Sequence, residues 1–187
     1  MSVVDDIGAL FDTRGAGEYF GEKVSMSEHA LQAAYFAGAA GAPPSLIIAA
    51  LLHDIGHLIG GVPSDIADWT SDAHHEAIGS RWLAERFHPE VSEPVRLHVC
   101  AKRYLLATDD KYFAKLSPAS VITLKLQGGP MATHEIAKFE TEPFYQQAVL
   151  VRRWDDQGKA AGLATPAFAD YRAVIERLEK IPTASRK

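Results

Sequence analysis

The sequence predicts an all-α protein of one domain. Apolar residues recur at helical spacing through nearly all of its 187 residues. The boundaries between those stretches carry capping residues, prolines and glycines. No alternating apolar/polar run is long enough to specify a strand, and there are no repeats, low-complexity segments or interdomain linkers. Residues 1–187 therefore read as a single helical bundle.

Val3, Val4, Ile7, Leu10 and Phe11 line one face of a first helix. A Gly-rich connection follows over about 12–24, containing Gly15, Gly17 and Gly21 around Tyr19 and Glu22. Ser25-Met26-Ser27-Glu28 is a capping box, so a helix starts there with His29 in its first turn. Gly41 and Pro43-Pro44 end it. Ser45 to about Leu58 reads as a second helix, apolar nearly all round and so central and buried. A loop over 59–71 with Gly60-Gly61 and Pro63 leads to a helix from Asp72 to Phe87 carrying His74, His75 and Glu76. Pro94 to about Thr108 is expected as the next helix, with His98 and Lys102 on it. Ser117-Pro118 is an N-cap followed by proline at the first helical position, and that helix stops at Gly128-Gly129-Pro130. Thr133 to Glu142 reads as a short polar helix, Pro143 to about Ala161 as a longer one bearing Asp155, and 166–180 as the last.

With 47% hydrophobic and 23% charged residues the chain has an ordinary soluble, globular composition. A net charge of −5 gives no bulk electrostatic footprint for nucleic acid. No apolar run reaches the roughly 18 residues of a membrane span. Met1 to Asp6 is acidic and lacks a signal-peptide core, and Cys100 alone cannot form an intrachain disulfide, so a cytoplasmic location is expected.

The doublet His53-Asp54 lies inside the most apolar stretch, Ala49 to His57. An imidazole and a carboxylate are costly to bury unless something pairs with them, and a metal is the economical partner. On a helix these neighbours diverge by about 100°, so they can serve one metal from two directions, or the carboxylate can bridge two. His57 follows one turn after His53 on the same face. Further ligand candidates are His29, His98, Asp155 and one of His74 and His75, since only one of a helical pair can face the core. Taken singly, His29, His98 and Asp155 read equally well as hydrogen-bonded core residues. His88 and His134 lie in polar surroundings and read as surface residues. Imidazole mixed with carboxylate suits iron, manganese or zinc. Six ligands exceed what one metal with an open position needs, and suit two.

At these residues the chain resembles the HD-domain superfamily, and within it the mixed-valence di-iron oxygenases that cleave organophosphonates, relatives of myo-inositol oxygenase. The resemblance runs from about Tyr19 to Lys159. It is carried by Tyr19-Phe20-Gly21-Glu22, Glu28-His29-Ala30-Leu31-Gln32, Leu51 to His57, and His75-Glu76. It continues through His98-Val99-Cys100-Ala101-Lys102-Arg103-Tyr104-Leu105, Gln127-Gly128-Gly129-Pro130-Met131 and Arg152-Arg153-Trp154-Asp155-Asp156. The doublet is specific only to the superfamily, whereas the segments beginning at His98 and Gln127 are specific to the phosphonate branch.

The resemblance implies two irons in a mixed Fe(II)/Fe(III) state. His29, His53, Asp54 and Asp155 ligate one side, and Asp54 bridges to an ion held by His75 and His98. His75 is taken over His74 because Glu76 completes the family's His-Glu order. Asp155 is taken over Asp156 because Lys159 then falls four residues later. Tyr19 and Glu22 are implied as a mobile gate whose glutamate receives the substrate's amine. Lys102, one turn from His98, suits a phosphonate oxygen, though a lysine snorkelling from a buried helix is the plainer reading. His57, Ser120, Thr123 and Gln127 are implied as further phosphonate contacts. Arg152 either adds positive charge or pairs with a nearby carboxylate.

The implied activity is O2-dependent cleavage of the C–P bond of 1-hydroxy-2-aminoethylphosphonate or its N-trimethyl analogue, giving phosphate plus glycine or glycine betaine. A primary ammonium wants a carboxylate such as Glu22, whereas a trimethylammonium wants aromatic faces, for which Tyr19, Phe20, Trp69 and Tyr104 are candidates. The alternatives are a metal-dependent phosphohydrolase acting on a phosphate ester or nucleotide, and a non-enzymatic binding module.

Overall fold

The helices of the computed structural model, which describes residues 2–60 and 74–180, are α1 (Val3–Arg14), α2 (Met26–Ala39), α3 (Pro44–Leu51), α4 (Ile55–Gly60), α5 (His75–Ala84) and α6 (Pro89–Thr108). They continue with α7 (Pro118–Leu126), α8 (Thr133–Phe139), α9 (Tyr145–Gln157) and α10 (Phe168–Leu178), with a 3₁₀ turn at Phe113–Lys115. The all-α expectation holds. The expected loop beyond Gly60, the helix start at Asp72 and the aromatic candidate Trp69 lie outside the described residues.

Six helices pack around the site. α6 packs along α9 and α5, α2 lies on α3 and α9, and α4 packs on α5. α3 supplies the centre: Ile48, Ala49, Ala50 and Leu51 are essentially solvent-free. Burying a side chain the size of Ile48 or Leu51 contributes about 1.5–3 kcal/mol, which offsets the cost of the polar groups sealed beside it. The capping box at Ser25 forms as expected, with the Ser25 hydroxyl accepting from Glu28 N at 3.1 Å and Glu28 accepting from Ser25 N at 2.6 Å.

Three expected boundaries are corrected. First, Ser45 to Leu58 is not one helix: α3 ends at Leu51, and α4 begins at Ile55, so His53 and Asp54 sit in a turn. His53 Nδ1 donates to Ala50 O at 2.8 Å, capturing with a side chain a carbonyl that a continuing helix would use. Second, α6 starts at Pro89 and runs through Pro94, whose ring is buried beside Val91 and Val95. Third, α9 stops at Gln157 instead of reaching Ala161. There Gln32 pairs reciprocally with the backbone of Ala160, Nε2 to O and N to Oε1, both at 2.9 Å. That pairing draws the chain off the helix and onto α2.

At Gly56 helices α4 and α5 approach closely. A Cβ there would stand 1.9 Å from His75 O and 3.0 Å from Gly79 N, both backbone atoms that cannot swing away. Gly56→Ala is therefore expected to destabilise the protein by about 1–3 kcal/mol through overpacking, read as a lowered Tm. An unchanged Tm would show that α4 and α5 can separate freely.

Candidate metal centre and anion pocket

Asp54 stands between two imidazole pairs. His29 from α2 and His53 from the turn after α3 bring their Nε2 atoms to 3.1 Å. His75 at the start of α5 and His98 in the middle of α6 bring theirs to 3.1 Å as well. Asp54 Oδ2 lies 3.4 Å from His53 Nε2 and 3.7 Å from His29 Nε2. Its other oxygen, Oδ1, lies 3.3 Å from His75 Nε2 and 3.5 Å from His98 Nε2. Asp155 joins the first pair, with Oδ1 3.4 Å from His29 Nε2. The groups His29, His53, Asp54 and Asp54, His75, His98 each converge tightly enough to hold one ion, and all of these residues are buried.

The backbone fixes which nitrogen three of these rings present. His29 Nδ1 faces Gly158 O at 2.8 Å, His53 Nδ1 faces Ala50 O at 2.8 Å, and His98 Nδ1 faces Val95 O at 2.7 Å. A carbonyl only accepts, so Nδ1 carries the proton and Nε2 turns a lone pair inward. Lone pairs meeting at 3.1 Å repel unless a proton or a metal ion lies between them. This donor set, together with the carboxylates, binds metal.

The protonation states describe how the pocket balances itself without an ion. Burial opposes charging His53, but the adjacent Asp54 carboxylate lifts it to about 9. Burial and the nearby His53 charge hold His29 down at about 4, against the pull of Asp155. Burial works against ionising Asp54 and Asp155 too, yet both are held below the usual carboxylate range, Asp54 by the charge of His53 and Asp155 by that of Arg152.

The ligand cluster opens onto a cavity lined by Tyr19, Phe20, His57, Lys102, Ser120, Thr123, Gln127, Arg152 and Lys159. Lys102 is 2% exposed, and its ammonium donates to Thr123 Oγ1 at 2.9 Å. Burial and the charge of Arg152 lower it to about 7. Ser120, Thr123 and Gln127 share the face of α7 turned toward this cavity, and Gln127 Oε1 is buried with no hydrogen-bond partner among the described residues. The His57 ring stacks on that of His75 at 4.0 Å. Tyr19 closes the other side. Its hydroxyl donates to Asp54 Oδ2 at 2.8 Å, and its ring stacks on His29 at 3.8 Å. The turn behind it holds Phe20 at φ 48° and Gly21 at φ 77°, a left-handed pair that is strained at the phenylalanine. Glu22 lies beyond that turn and does not line the cavity, although its Oε1 is buried with no hydrogen-bond partner among the described residues.

His74 caps α5 in a left-handed conformation and is exposed, as are His88 and His134. Arg152 pairs with Asp155 and Asp156. Tyr104 is remote from the cavity, donating to Glu140 and packing on Phe139 and Tyr145. Sequence reasoning did not place Lys159 at the pocket. Its ammonium reaches Ser120 Oγ at 3.0 Å and lies 5.7 Å from the centre of the Tyr19 ring. The spacing Asp155-x-x-x-Lys159 was the available signal, because it sets the lysine one turn beyond a candidate ligand. Tyr112, whose hydroxyl contacts Arg152 and Asp156, carried no sequence signal at all.

Residues 26–155 match the family model described as HD domain. The chain is 44% identical over 177 residues to the [1-hydroxy-2-(trimethylamino)ethyl]phosphonate dioxygenase (glycine-betaine-forming) of Leisingera caerulea, spanning 95% of this chain and 90% of that protein. It is 45% identical over 159 residues to the hydroxymethylphosphonate dioxygenase of Gimesia maris, spanning 84% of this chain and 79% of that protein.

Two outcomes are expected of this geometry. Loading metal-free protein with Fe(II) at about 100 times its dissociation constant adds about 2.7 kcal/mol of stability and releases protons, because the ion replaces the one that His53 carries up to about pH 9. A thermal melt and a proton count would check both, and no stabilisation would exclude a preformed site. Binding of a phosphonate dianion at pH 8 is expected to take up a proton, because Lys102 at about 7 is mostly neutral there and the anion raises it. Titration calorimetry in buffers of different ionisation enthalpy reads this uptake, and Lys102→Gln should abolish it.

Proposed function

The chain belongs to the HD domain family, and from that premise we propose that it is a di-iron dioxygenase that cleaves the carbon–phosphorus bond of a 1-hydroxyphosphonate. The substrate in this reading is 1-hydroxy-2-aminoethylphosphonate or its N-trimethyl analogue. One observation carries it: two sets of two histidines and a carboxylate share Asp54 and open onto a cavity that presents a buried lysine and hydroxyl groups. The activities named for the two relatives support the same chemistry.

In this reading His29, His53 and Asp155 would hold one iron, His75 and His98 would hold the other, and Asp54, common to both groups, would serve the two. A mixed Fe(II)/Fe(III) pair supplies Lewis acidity toward the substrate's hydroxyl and phosphonate oxygens and electron exchange with O2.

The chain's own groups bind and orient. Lys102 neutralises the phosphonate, while Ser120, Thr123 and Gln127 hydrogen-bond its oxygens from one helix face. His57 lies on the same wall, stacked against His75. Tyr19 closes the cavity above Asp54 until substrate displaces it; Glu22 stands outside the cavity lining and in this reading meets the amine once the turn moves. The aromatic faces of Tyr19 and Phe20 suit an N-methylated cation. The net reaction needs no outside reductant. One oxygen of O2 goes to carbon, which becomes a carboxylate, and one to phosphorus, which leaves as phosphate. The carbon–hydrogen and carbon–phosphorus bonds both break.

Phosphate release from iron-loaded protein tests this reading, with 1-hydroxy-2-aminoethylphosphonate, its N-trimethyl analogue and hydroxymethylphosphonate offered with and without oxygen. Oxygen-dependent release from either amine-bearing substrate is expected, and the faster of the two identifies the amine. Oxygen-dependent release from hydroxymethylphosphonate alone would move the substrate to that compound. Oxygen-independent release from phosphate esters alone would replace the oxygenase by a phosphohydrolase.

A further inference from the structure

Asp155 shows its two oxygens to different partners. Oδ2 forms an ion pair with Arg152 Nη1 at 2.6 Å and lies 3.9 Å from His53 Nε2. Oδ1 has no hydrogen-bond partner among the described residues and faces His29 Nε2 at 3.4 Å. The carboxylate is thus held with one oxygen paired to a guanidinium and the other turned to His29. That division depends on where the guanidinium stands, and Arg152, 4% exposed, is itself gripped from behind. Its Nη2 and Nε donate to the two oxygens of Asp156, the latter at 3.2 Å. Nε also lies 2.9 Å from the Tyr112 hydroxyl, which donates to Asp156 in turn. Tyr112 is 1% exposed and comes from the turn between α6 and α7, so it ties α9 to a distant part of the chain.

We propose that Tyr112 and Asp156 are positioning residues for the metal centre: they fix the Arg152 guanidinium so that it occupies Oδ2 of Asp155 and leaves Oδ1 to ligate the ion. The inference rests on Asp155 being a ligand, as in the function proposed above. Its physics is that of a fork with two possible targets. A guanidinium binds a carboxylate best with two parallel N–H donors. Here Asp156 takes that bidentate grip, and Asp155 receives a single donor. Without Asp156 or the hydroxyl that orients it, Arg152 turns its fork onto Asp155 and draws both oxygens away from the imidazoles. The adjacent acids Asp155 and Asp156 thus divide two tasks, one facing the ion and the other holding the cation that aims the first.

The test is the release of Fe(II) from the loaded full chain into a chromogenic chelator, comparing the parent with Tyr112→Phe, Asp156→Asn and Asp155→Asn. Tyr112→Phe keeps the ring's packing, so it stays informative if Asp156→Asn folds poorly. Both positioning variants are expected to speed the release of one of the two ions by about 10-fold or more and to leave the other unchanged. Tyr112→Phe should also leave the Tm of the metal-free protein near that of the parent. Release of both ions at the parent rate, or an equal acceleration of both, overturns the proposal, because a merely structural role loosens the centre as a whole. If Asp155→Asn releases iron like the parent, Asp155 is not a ligand, and both this proposal and the ligand set it rests on fall. If Asp155→Asn alone accelerates release, the ligand set stands and only the positioning role is overturned.

Discussion

Imidazole nitrogens that point at one another inside an apolar core are the constraint on which this structure turns. The arrangement is unfavourable by itself, since neutral rings whose Nδ1 protons are already committed to carbonyls present only lone pairs. The fold holds them there by taking each carbonyl from a different place: the end of α9, the last turn of α3 and the body of α6. The packing of α2, α3, α6 and α9 therefore sets the tautomers, and the tautomers set the chemistry of the centre. Without an ion, a proton on His53 and the negative charge of Asp54 relieve the repulsion.

The cavity beside the centre is arranged around the opposite charge. Lys102, Arg152 and Lys159 all reach it, yet two of them face a carboxylate, Arg152 those of Asp155 and Asp156 and Lys159 that of Asp155 at 4.0 Å. Among the described residues Lys102 meets only a neutral hydroxyl, and burial has weakened its hold on a proton. In the proposed function an arriving dianion would gain most from Lys102, which stands one turn along α6 from His98. Both share one helix, so the distance between them is fixed by helix geometry rather than by a loop.

Much of this was legible in the sequence because it rests on local signals. The Ser25 capping box started α2 where expected and set His29 in its first turn. The Ser117-Pro118 signal and the double glycine bracketed α7, so Ser120, Thr123 and Gln127 came out on one face. What stayed hidden depended on contacts distant in sequence or on side chains competing with the backbone. The break at His53-Asp54 comes from the His53 ring taking the Ala50 carbonyl, which no apolar periodicity reports. The early end of α9 comes from Gln32 on another helix. Tyr112 reads as one aromatic among several until the fold brings it against Arg152.

Adjacent polar residues recur at this site, and local backbone decides each time which of the pair faces inward. At His53-Asp54 a turn replaces the helix, so both side chains enter the cluster instead of diverging. At His74-His75 the first residue takes a left-handed conformation outside α5, leaving it exposed while the second enters the core. At Asp155-Asp156 the helix continues, and its rotation sends one carboxylate toward the imidazoles and the other toward Arg152. A turn, a left-handed cap and an uninterrupted helix are thus three backbone solutions to one problem. The cap and the helix bring one member of the pair to the imidazoles and turn its neighbour away, whereas the turn brings in both, where His53 and Asp54 pair with each other; in every case no charge enters the closed core unpaired, which would be far costlier than the local backbone cost.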